Sequence, residues 1–327
     1  MSILVTGGAG YIGSHTVRQL VQGGREVVVF DSLELGHRSA VHGAPLVVGD
    51  IADRALVEAT CREHGVTQVV HFAAYKSVGE SMHDPERYWR NNVWGTAQLA
   101  DAVLAAGVRE FVFSSSCSVY GNPDRMPVDE SASIKPESVY AETKAMSEKV
   151  LAWYGVTHGL RSVALRYFNA AGASDDSLIG EDWAHSANLI PLVMKAALGK
   201  AAAIEIYGTD YPTPDGTCIR DNIHVDDLAT AHVLALDHLG RSGESVALNV
   251  GTGTGSSVRD VIAATERVSG VEVPVRIGGR RAGDPVVTYA DPAEIERVLG
   301  WRATRTLDDI IATAWRWHST HADGFPD

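Results

Sequence analysis

Several glycines lie close together at the first turn of the chain, between a predicted strand and a predicted helix. Residues Ser2–Thr6 form a short run with the pattern of a buried parallel strand, and the residues after Gly13, to about Gln22, have a helical pattern. Gly7, Gly10 and Gly13 satisfy the spacing GxxGxxG. Glycine at such a strand–turn–helix junction lets a diphosphate approach the backbone at the helix N-terminus, where the peptide dipoles favour an anion. The turn therefore predicts a dinucleotide-binding α/β fold.

Further strand-like segments alternate with helical ones along the first half of the chain. Such alternation predicts a parallel sheet with helices on both faces. We therefore predict an α/β protein with a Rossmann-type doubly wound parallel sheet and a smaller α/β C-terminal substrate domain. The predicted strands of the sheet are Ser2–Thr6, Glu26–Phe30, Leu46–Asp50, Gln68–Ala74, Phe111–Ser116 and Arg161–Asn169, and Ser245–Val250 is placed to rejoin them.

The length of the chain and a change in its local composition predict two domains. At 327 residues the chain exceeds the size that a single hydrophobic core usually supports. After residue 170 the sequence becomes rich in Gly, Ser, Asp and Glu, as in a loop over a cleft. We predict that residues 1–170, rejoined by about 222–250, form the sheet domain, and that residues 171–221 and 251–327 form the substrate domain.

Composition excludes several classes of protein. The net charge is −13 and the isoelectric point about 5.4, whereas a nucleic-acid-binding surface is basic. Cys61, Cys117 and Cys218 are odd in number and include no CxxC, which favours a reducing cytoplasm without a disulfide framework or metal site. No apolar run approaches the roughly 18 residues of a membrane span, and no signal peptide is visible. We therefore expect a cytoplasmic protein.

Two acidic residues end predicted strands. Asp31 closes the second strand 18 residues after Gly13, where a carboxylate accepts hydrogen bonds from an adenosine ribose and repels a 2′-phosphate. This favours NAD over NADP. Asp50 closes the third strand, where it either contacts the adenine or caps the helix that starts near Ala52; the two roles are compatible.

A tyrosine and a lysine lie one helical turn apart in the segment Tyr140-Ala-Glu-Thr-Lys144. Residues at i and i+4 share a helix face, and a nearby ammonium lowers the pKa of a phenol, which is otherwise about 10. The pair can therefore provide a tyrosine base. The predicted strand ending at Ser116 supplies a hydroxyl that would share a substrate proton with Tyr140. Alone, the same spacing also fits a solvated helix face.

Other polar residues stand out against their surroundings. His71 lies inside an apolar run, which predicts a core histidine, and Lys76 follows that strand. Asn91 and Asn92 interrupt a helix predicted from about Pro85 to Ala106, and asparagine is a poor helix-interior residue, so at least one should have a specific partner. Three arginines outside regular elements, in a chain that must bind an anion, are candidate diphosphate ligands. They are Arg220, Arg280 and Arg281.

These residues together resemble the extended short-chain dehydrogenase/reductase family and, within it, the branch of nucleotide-sugar 4-epimerases. The similarity covers essentially the whole chain. The segments that carry it are VTGGAGYIGSHT (5–16), GDI (49–51), HFAAYKSVGES (71–81), NNVWGT (91–96), FSSSCSVYG (113–121), SVYAETK (138–144), LRYFNAAGA (165–173), YPTPDGTCIRDNIHVDDLA (211–229) and RRAGDP (280–285). The last two are specific to the epimerase branch.

The resemblance implies residue roles. Tyr140 would be the base, Lys144 its pKa-lowering partner and a cofactor ribose ligand, and Ser116 the hydroxyl partner. The residues that would bind NAD are Gly7, Gly10, Tyr11, Ile12, Gly13, Asp31, Asp50, Ile51, Phe72, Ala73, Ala74, Lys76, Asn91, Ser114, Tyr140, Lys144 and Tyr167. The residues that would bind a UDP-sugar are Lys76, Ser116, Tyr140, Asn169, Asn188, Leu189, Tyr207, Arg220, Arg281, Asp284 and Thr288.

The resemblance also implies a reversible reaction. Tyr140 would take the proton of the sugar 4-hydroxyl while NAD takes the C4 hydride, and the 4-keto sugar would turn about its diphosphate and receive the hydride on its other face. A homodimer built from the helices at 85–106 and 140–154 is also implied. In the family a bulky residue at the position of Thr288 restricts the enzyme to plain hexoses, so Thr288 favours acceptance of 2-acetamido sugars unless Tyr289 fills the same space.

Three positions depart from the family pattern. The loop after Asp31, from Ser32 to His37, lacks the usual asparagines, which leaves its adenosine contacts open. Asn222 stands where an aromatic residue is usual. Trp94 replaces a small or polar residue, at the expected dimer surface.

Related activities remain as alternatives. Nucleotide-sugar 4,6-dehydratases need an acid and a base just after the strand-five serines, where this chain has Cys117 and Ser118, and decarboxylases place a glutamate there. Pentose or uronate 4-epimerases would share the motifs. A non-catalytic NAD-sensing regulator would be expected to lack Tyr140 or Lys144 and to show a basic face.

Overall fold

A computed structural model describes residues 2–241, 244–281 and 284–326 of the chain. Positions 282 and 283 of the RRAGDP segment, and positions 242 and 243 of the predicted 222–250 segment, lie outside this range. The strands are β1 (Ser2–Thr6), β2 (Glu26–Asp31), β3 (Leu46–Val48), β4 (Val66–His71), β5 (Glu110–Ser114), β6 (Arg161–Tyr167), β7 (Asn169–Ala171), β8 (Ile204–Tyr207), β9 (Ile219–Arg220), β10 (Asn222–His224), β11 (Val246–Val250), β12 (Ser256–Ser257), β13 (Val275–Gly278) and β14 (Val287–Thr288).

Helices connect most of these strands. They are α1 (Tyr11–Gln22), α2 (Arg54–Glu63), α3 (Val78–His83), α4 (Pro85–Tyr88), α5 (Thr96–Ala105), α6 (Val139–His158), α7 (Leu189–Ala197), α8 (Val225–Arg241), α9 (Val258–Ser269), α10 (Ala293–Leu299) and α11 (Leu307–Thr320). None of those in the described ranges has the length and apolarity that crossing a membrane requires.

Seven parallel strands form the main sheet in the order β11-β6-β5-β4-β1-β2-β3. The chain order reverses between β1 and β4, and ligands of open α/β sheets bind in the crevice at the carboxyl ends of the strands beside such a reversal. The predicted doubly wound parallel sheet is confirmed. The strand predicted to return to it, β11, pairs with β6.

The sheet is apolar on both faces because helices cover both. Val5 and Val17 belong to one cluster of buried side chains, together with Leu228 of α8. Leu4 and Leu99 belong to a second cluster on the opposite face, which α2, α5 and α6 cover. Burial on both sides explains the nearly continuous Val, Ile and Leu runs of the strands.

His71 is a core histidine, as predicted. Its ring is buried between Phe111 and Phe113, and its two nitrogens interact with the hydroxyls of Thr6 and Thr96 at 2.7 and 3.0 Å. Burial lowers the pKa of His71 to about 3, so the imidazole is neutral. His71 therefore has a structural role in the core.

The helix predicted from Pro85 to Ala106 is interrupted. Between α4 and α5 the residues Trp89–Gly95 form a π-helical turn, and such turns are frequent at functional sites. Asn92 explains it: its side chain accepts from the Tyr75 amide and donates to the Tyr75 carbonyl and the Thr143 hydroxyl. Asn92 therefore connects the segment after β4 to α6. The sequence predicted a specific partner for at least one of the two asparagines but did not identify it.

The second half of the chain builds smaller sheets around its own core. β13 pairs with β8, β12 and β14 flank β9, and β10 pairs with β7. Helices α7, α9 and α11 pack together over a third cluster that includes Val193, Val261 and Ile311. This arrangement confirms the smaller α/β part of the predicted fold, and it faces the carboxyl edge of the main sheet.

Candidate active site

Two adjoining cavities, of about 570 and 160 Å³, lie at the carboxyl edge of the main sheet. Every residue predicted to contact the cofactor lines one or both of them. The larger cavity is lined by Gly7, Gly10, Tyr11, Ile12, Gly13, Phe72, Ala74, Lys76, Ser114, Tyr140, Lys144 and Tyr167 of that set. The smaller adds Asp31, Asp50, Ile51, Ala73 and Asn91. The fold thus brings the set together around one recess.

The glycine turn forms a cradle without side chains. Gly7 has φ +71°, and a Cβ on it would lie 2.5 Å from the Ala73 nitrogen; a Cβ on Gly13 would overlap the Gly7 carbonyl oxygen. A Cβ on Gly10 would meet only that oxygen, at 3.3 Å. The first turn of α1 carries no acidic residue and no side-chain cap. This end of the helix fits a diphosphate, because its amides and dipole are free to face an anion.

Asp31 lies buried at the end of β2, on the wall of the smaller cavity. Its two carboxylate oxygens accept hydrogen bonds from the amides of Ala9 and Leu33, at 3.0 and 2.9 Å. Burial raises the pKa of Asp31, and the two amide hydrogen bonds oppose that shift. The carboxylate therefore fixes the glycine turn and is also placed to face a ribose.

Asp50 is not the cap of the following helix, so that alternative was wrong. The carboxylate that accepts from the first turn of α2 is Asp53, which bonds to the Leu56 amide at 3.1 Å. Asp50 accepts instead from the Ala52 amide at 2.8 Å and lines the smaller cavity. The helix begins two residues later than predicted because the segment after β3 first makes a tight turn.

The loop after Asp31 reaches the larger cavity with residues that the sequence did not single out. The His37 amide donates to the Ala9 carbonyl at 2.9 Å, which fastens the loop to the glycine turn. The His37 ring stacks on Phe325 with 4.2 Å between ring centroids, and its Nε2 lies 3.2 Å from Asp182. Leu35, His37 and Phe325 all line the cavity. The loop therefore presents Leu35 and His37 to the cavity, and Phe325 packs against the His37 ring.

Tyr140 and Lys144 lie in the first turns of α6, facing the larger cavity. Ser138 caps the helix, and the Tyr140 amide donates to the Ser81 hydroxyl of α3 at 3.1 Å. The Lys144 ammonium donates to the Ser114 carbonyl at 2.7 Å and lies 6.0 Å from the centroid of the Tyr140 ring. Both side chains are buried, so the solvated-face interpretation does not hold.

The electrostatics correct one prediction. Burial raises the pKa of Tyr140 above its ordinary value, Tyr167 adds to the rise, and the interaction with Ser116 lowers it. Burial lowers the pKa of Lys144 to about 7. The prediction that the pair lowers the Tyr140 pKa below its ordinary value was therefore wrong, because desolvation disfavours both charged forms and dominates the shift. A cationic group bound in the cavity beside Tyr140 would favour its phenolate.

Ser116 follows β5 and begins a short 3₁₀ turn. Its Oγ accepts from the Ser118 amide at 3.2 Å and from the Ser118 hydroxyl at 2.9 Å. Ser116 is buried and interacts with the Tyr140 phenol. Burial raises the pKa of the adjacent Cys117 thiol to about 12, so Cys117 is poorly suited to act as a general acid.

The predicted sugar-nucleotide residues fall into several groups. Lys76 and Asn188 meet at the carboxylate of Glu181, beside Leu189, the first residue of α7. The other groups are Tyr207 with Arg281 and Asp284, Arg220 in register with Thr288, and Asn169 in register with Asn222. Lys76 belongs to the segment after β4 of the main sheet, whereas Tyr207, Arg220 and Thr288 lie in strands of the small sheets.

The three candidate arginines have different surroundings. Arg281 donates two hydrogen bonds to Asp284, at 3.0 and 2.9 Å, and Arg220 donates to the Ile219 carbonyl. Arg280 is bound to Asp210 and stacks on the Tyr211 ring at 4.2 Å. Arg280 and Arg281 thus each have a carboxylate partner, and the clamp of all three arginines stays a prediction. Asn222 donates to the Arg220 carbonyl at 3.5 Å, and Trp94 lies at the surface.

Comparison with known proteins defines the family. The sequence model of the NAD dependent epimerase/dehydratase family matches residues 3–251. The chain belongs to this family. The chain is 45% identical to the UDP-glucose 4-epimerase of Lactobacillus helveticus over 329 aligned positions, which cover 100% of both chains.

Solved structures of the NAD dependent epimerase/dehydratase family are closely similar. The UDP-glucose 4-epimerase of Stenotrophomonas maltophila, with bound NAD and formylated UDP-arabinopyranose, is 44% identical, with a TM-score of 0.96 and 99% of each chain covered. The UDP-Glc/GlcNAc 4-epimerase of Campylobacter jejuni is 38% identical, with a TM-score of 0.86, covering 98% of this chain and 99% of that one. The structural similarity therefore covers almost the whole length of this chain.

Proposed function

We propose that the protein catalyses the reversible epimerisation of a UDP-hexose at C4, between UDP-glucose and UDP-galactose, through a transient 4-keto sugar and with bound NAD. The observation that carries the proposal is the buried Tyr140–Lys144 pair, which faces the same cavity as the glycine cradle. Two further findings support the proposal: the chain belongs to the NAD dependent epimerase/dehydratase family, and it is similar to several UDP-glucose 4-epimerases.

The residues around the recess fit NAD. The cradle of Gly7, Gly10 and Gly13 would hold the diphosphate, and Asp31 would hold the adenosine ribose and repel a 2′-phosphate. When bound, NAD accepts a hydride at its nicotinamide ring and returns it. Lys144 would donate to the adjoining ribose. The sheet domain, residues 1–170 with 222–250, would bind the cofactor, and residues 171–221 and 251–327 would bind the nucleotide sugar.

Tyr140 would move the proton of the reaction. Its phenol would accept the proton of the sugar 4-hydroxyl and return it after the 4-keto sugar has turned over, with Ser116 sharing the same hydrogen bond. A tyrosine whose pKa is raised by burial becomes a base only when positive charge is near it, and the bound oxidised nicotinamide and Lys144 would supply that charge. Proton uptake would thus be linked to cofactor occupancy.

The nucleotide half of the substrate would be bound by the second lobe. Arg220 and Arg281 would neutralise the diphosphate, with Asn169, Asn188, Leu189, Tyr207 and Asp284 completing the site. Incubating the purified protein with UDP-galactose, without added NAD, and measuring UDP-glucose tests the proposal. The absence of UDP-glucose would reject the proposal, and parallel incubations with a UDP-pentose and a UDP-uronate would then show whether the protein is one of the other 4-epimerases.

We predict that the sugar pocket accepts a 2-acetamido group. Thr288 is in β14, in register with Arg220, and is buried, while Tyr289 is only partly buried. Among the described residues the Thr288 hydroxyl has no hydrogen-bond partner. Adjacent residues of an extended segment point to opposite faces, so we expect Thr288 rather than Tyr289 to face the sugar. The Campylobacter jejuni relative is a UDP-Glc/GlcNAc 4-epimerase.

Thr288→Tyr should therefore abolish turnover of UDP-N-acetylglucosamine while turnover of UDP-glucose changes less than about threefold. Thr288→Val, which removes the hydroxyl and keeps the size, is the matched control and should retain both activities. The measurement is kcat/KM for each sugar. Absence of acetamido-sugar turnover in the unaltered protein, at concentrations saturating for UDP-galactose, would show that another side chain closes the pocket.

We also propose a homodimer through α6 and the π-helical turn that packs against it. Trp153 is 67% exposed and Trp94 56%, and Met146 and Val156 on α6 are exposed as well. Large exposed apolar side chains on adjoining elements indicate a protein interface. We expect sedimentation at the mass of two chains for the unaltered protein and of one chain for Trp153→Glu. A monomeric unaltered protein would contradict the dimer.

The cellular location that we propose is the cytoplasm. The three cysteines are free thiols in the structure, as expected in a reducing compartment.

A further inference from the structure

Glu181 is a buried acid that the sequence analysis did not assign to the site. It lies on the wall of the larger cavity, together with Tyr140 and Lys76, and its side chain is 4% exposed. One carboxylate oxygen, Oε1, accepts from the Lys76 ammonium at 3.2 Å, from the Asn188 amide at 2.8 Å and from the Ser186 hydroxyl at 2.7 Å. The carboxylate therefore joins two residues that sequence reasoning placed at the substrate.

The Glu181 carboxylate places a negative charge beside a cavity that would bind anionic ligands. NAD and a UDP-sugar each carry a diphosphate, and an uncompensated carboxylate beside them would weaken binding. Burying a carboxylate is itself costly unless it is paired and hydrogen-bonded. Lys76 and the two neutral donors offset that cost. The arrangement indicates that Glu181 is kept for what it does to its partners.

The backbone of Glu181 is held from outside the cavity. Its carbonyl accepts from the Trp317 indole of α11 at 3.0 Å. The preceding Gly180 lies flat against the same indole, and a Cβ at Gly180 would overlap the Trp317 ring. Helix α11 therefore fixes the backbone of Glu181 over the recess. The carboxylate itself is held there by its three donors, Lys76, Ser186 and Asn188.

Glu181 also decides which way the Asn188 amide faces. Asn188 precedes α7 but its side chain makes no cap hydrogen bond to that helix. Its Nδ2 donates to Glu181, and a carboxylate can only accept, so this partner fixes the amide orientation. The amide oxygen is then left to accept from a hydroxyl. Lys76, from the segment after β4, is fixed by the same oxygen from the other lobe.

We propose that Glu181 is a positioning residue for the nucleotide sugar: it holds the Lys76 ammonium and turns the Asn188 amide so that a cation and a hydrogen-bond acceptor converge on the substrate from two lobes. The proposal rests on the proposed function. It makes Glu181 act through Lys76 and Asn188 and not by touching the reacting atoms.

Glu181→Gln tests the proposal, since it keeps the shape and removes the charge. We expect the KM for UDP-galactose to rise about tenfold, with kcat within about threefold of the unaltered enzyme, because uniform binding is lost. The bound NAD per chain and the melting temperature should stay unchanged. Glu110→Gln is the matched control: Glu110 is also paired with a basic residue, Arg161, but lies at the start of β5, away from the recess.

The decisive comparison uses the double variant Lys76→Met/Asn188→Ala as the background. If Glu181 acts through these two residues, adding Glu181→Gln there changes KM by less than about twofold, because partners in one network are not additive. A further tenfold rise in the background, or an unchanged KM in the single variant, would overturn the proposal. If the unaltered protein converts no UDP-sugar, the proposed function itself has failed, a result distinct from either outcome.

Discussion

Tyr140→Phe is expected to lower kcat by about 10²-fold or more, in line with the loss of an acid–base group. The phenol is buried at the wall of the larger cavity and interacts with Ser116, and its removal takes away the group proposed to exchange a proton with the sugar. The aromatic ring and its packing remain in the variant. The KM for UDP-galactose should therefore change little, and the measurement is steady-state kinetics at saturating substrate.

Two further variants separate the proton from its surroundings. Ser116→Ala should cost less than Tyr140→Phe, because Ser116 only orients the proton. Lys144→Met removes the ammonium near the phenol, so the pH at which activity is half-maximal should move upward. A Tyr140→Phe enzyme with normal kcat would overturn the proposed mechanism.

Gly13→Ala is expected to leave the protein almost without NAD, at less than about one-tenth of the unaltered content. A Cβ at Gly13 would overlap the Gly7 carbonyl oxygen and lie 2.9 Å from the Gly8 Cα, so the turn must open and its amides lose their common direction. The unaltered protein should carry NAD, and not NADP, without any being added. Denaturing the purified protein and assaying the released nucleotide measures both.

Gly79→Ala is the control for this prediction. Gly79 lies in α3, and a Cβ there would meet nothing within 4 Å. Its NAD content should equal that of the unaltered protein. Circular dichroism and gel filtration of Gly13→Ala establish that the variant is folded. A folded Gly13→Ala protein with full NAD content would refute the cradle, and NADP in the unaltered protein would refute the role of Asp31.

Much of the site was predictable because it depends on local spacing. The glycine turn is encoded within a few residues of α1, and the i, i+4 spacing of Tyr140 and Lys144 places both on one face of α6. The ends of parallel strands meet at one edge of a sheet, which is why residues that follow β1, β2 and β4 line the same recess. The parallel character of the sheet was predicted from the alternation of strands and helices, whereas the order of its seven strands was not.

The remaining features depend on contacts between distant segments. The role proposed for Glu181 depends on its hydrogen bonds with Lys76, Asn188 and Trp317, which lie in three different parts of the chain. His37 and Phe325 meet across almost the whole sequence. An acid at the end of a polar loop, or an aromatic residue near the C-terminus, gives no periodic signal from which such contacts could be read.

The pKa correction has the same origin. Proximity of Tyr140 and Lys144 could be read from their spacing, but burial could not, and burial is the dominant cause of both shifts. The π-helical turn at Trp89–Gly95 likewise depends on Asn92 finding Tyr75 and Thr143 in other elements. Sequence spacing predicts which groups are neighbours, and the surrounding packing decides their charge.

The most direct test of the central claim follows the hydrogen at C4. Purified protein, with only the NAD that it carries, is given UDP-galactose labelled with deuterium at C4, and the UDP-glucose formed is analysed by mass spectrometry and NMR. Hydride transfer to the bound cofactor and back predicts full retention of deuterium at C4 and no accumulation of NADH. Loss of the label to water, or one NADH formed for each released keto sugar, would contradict the account.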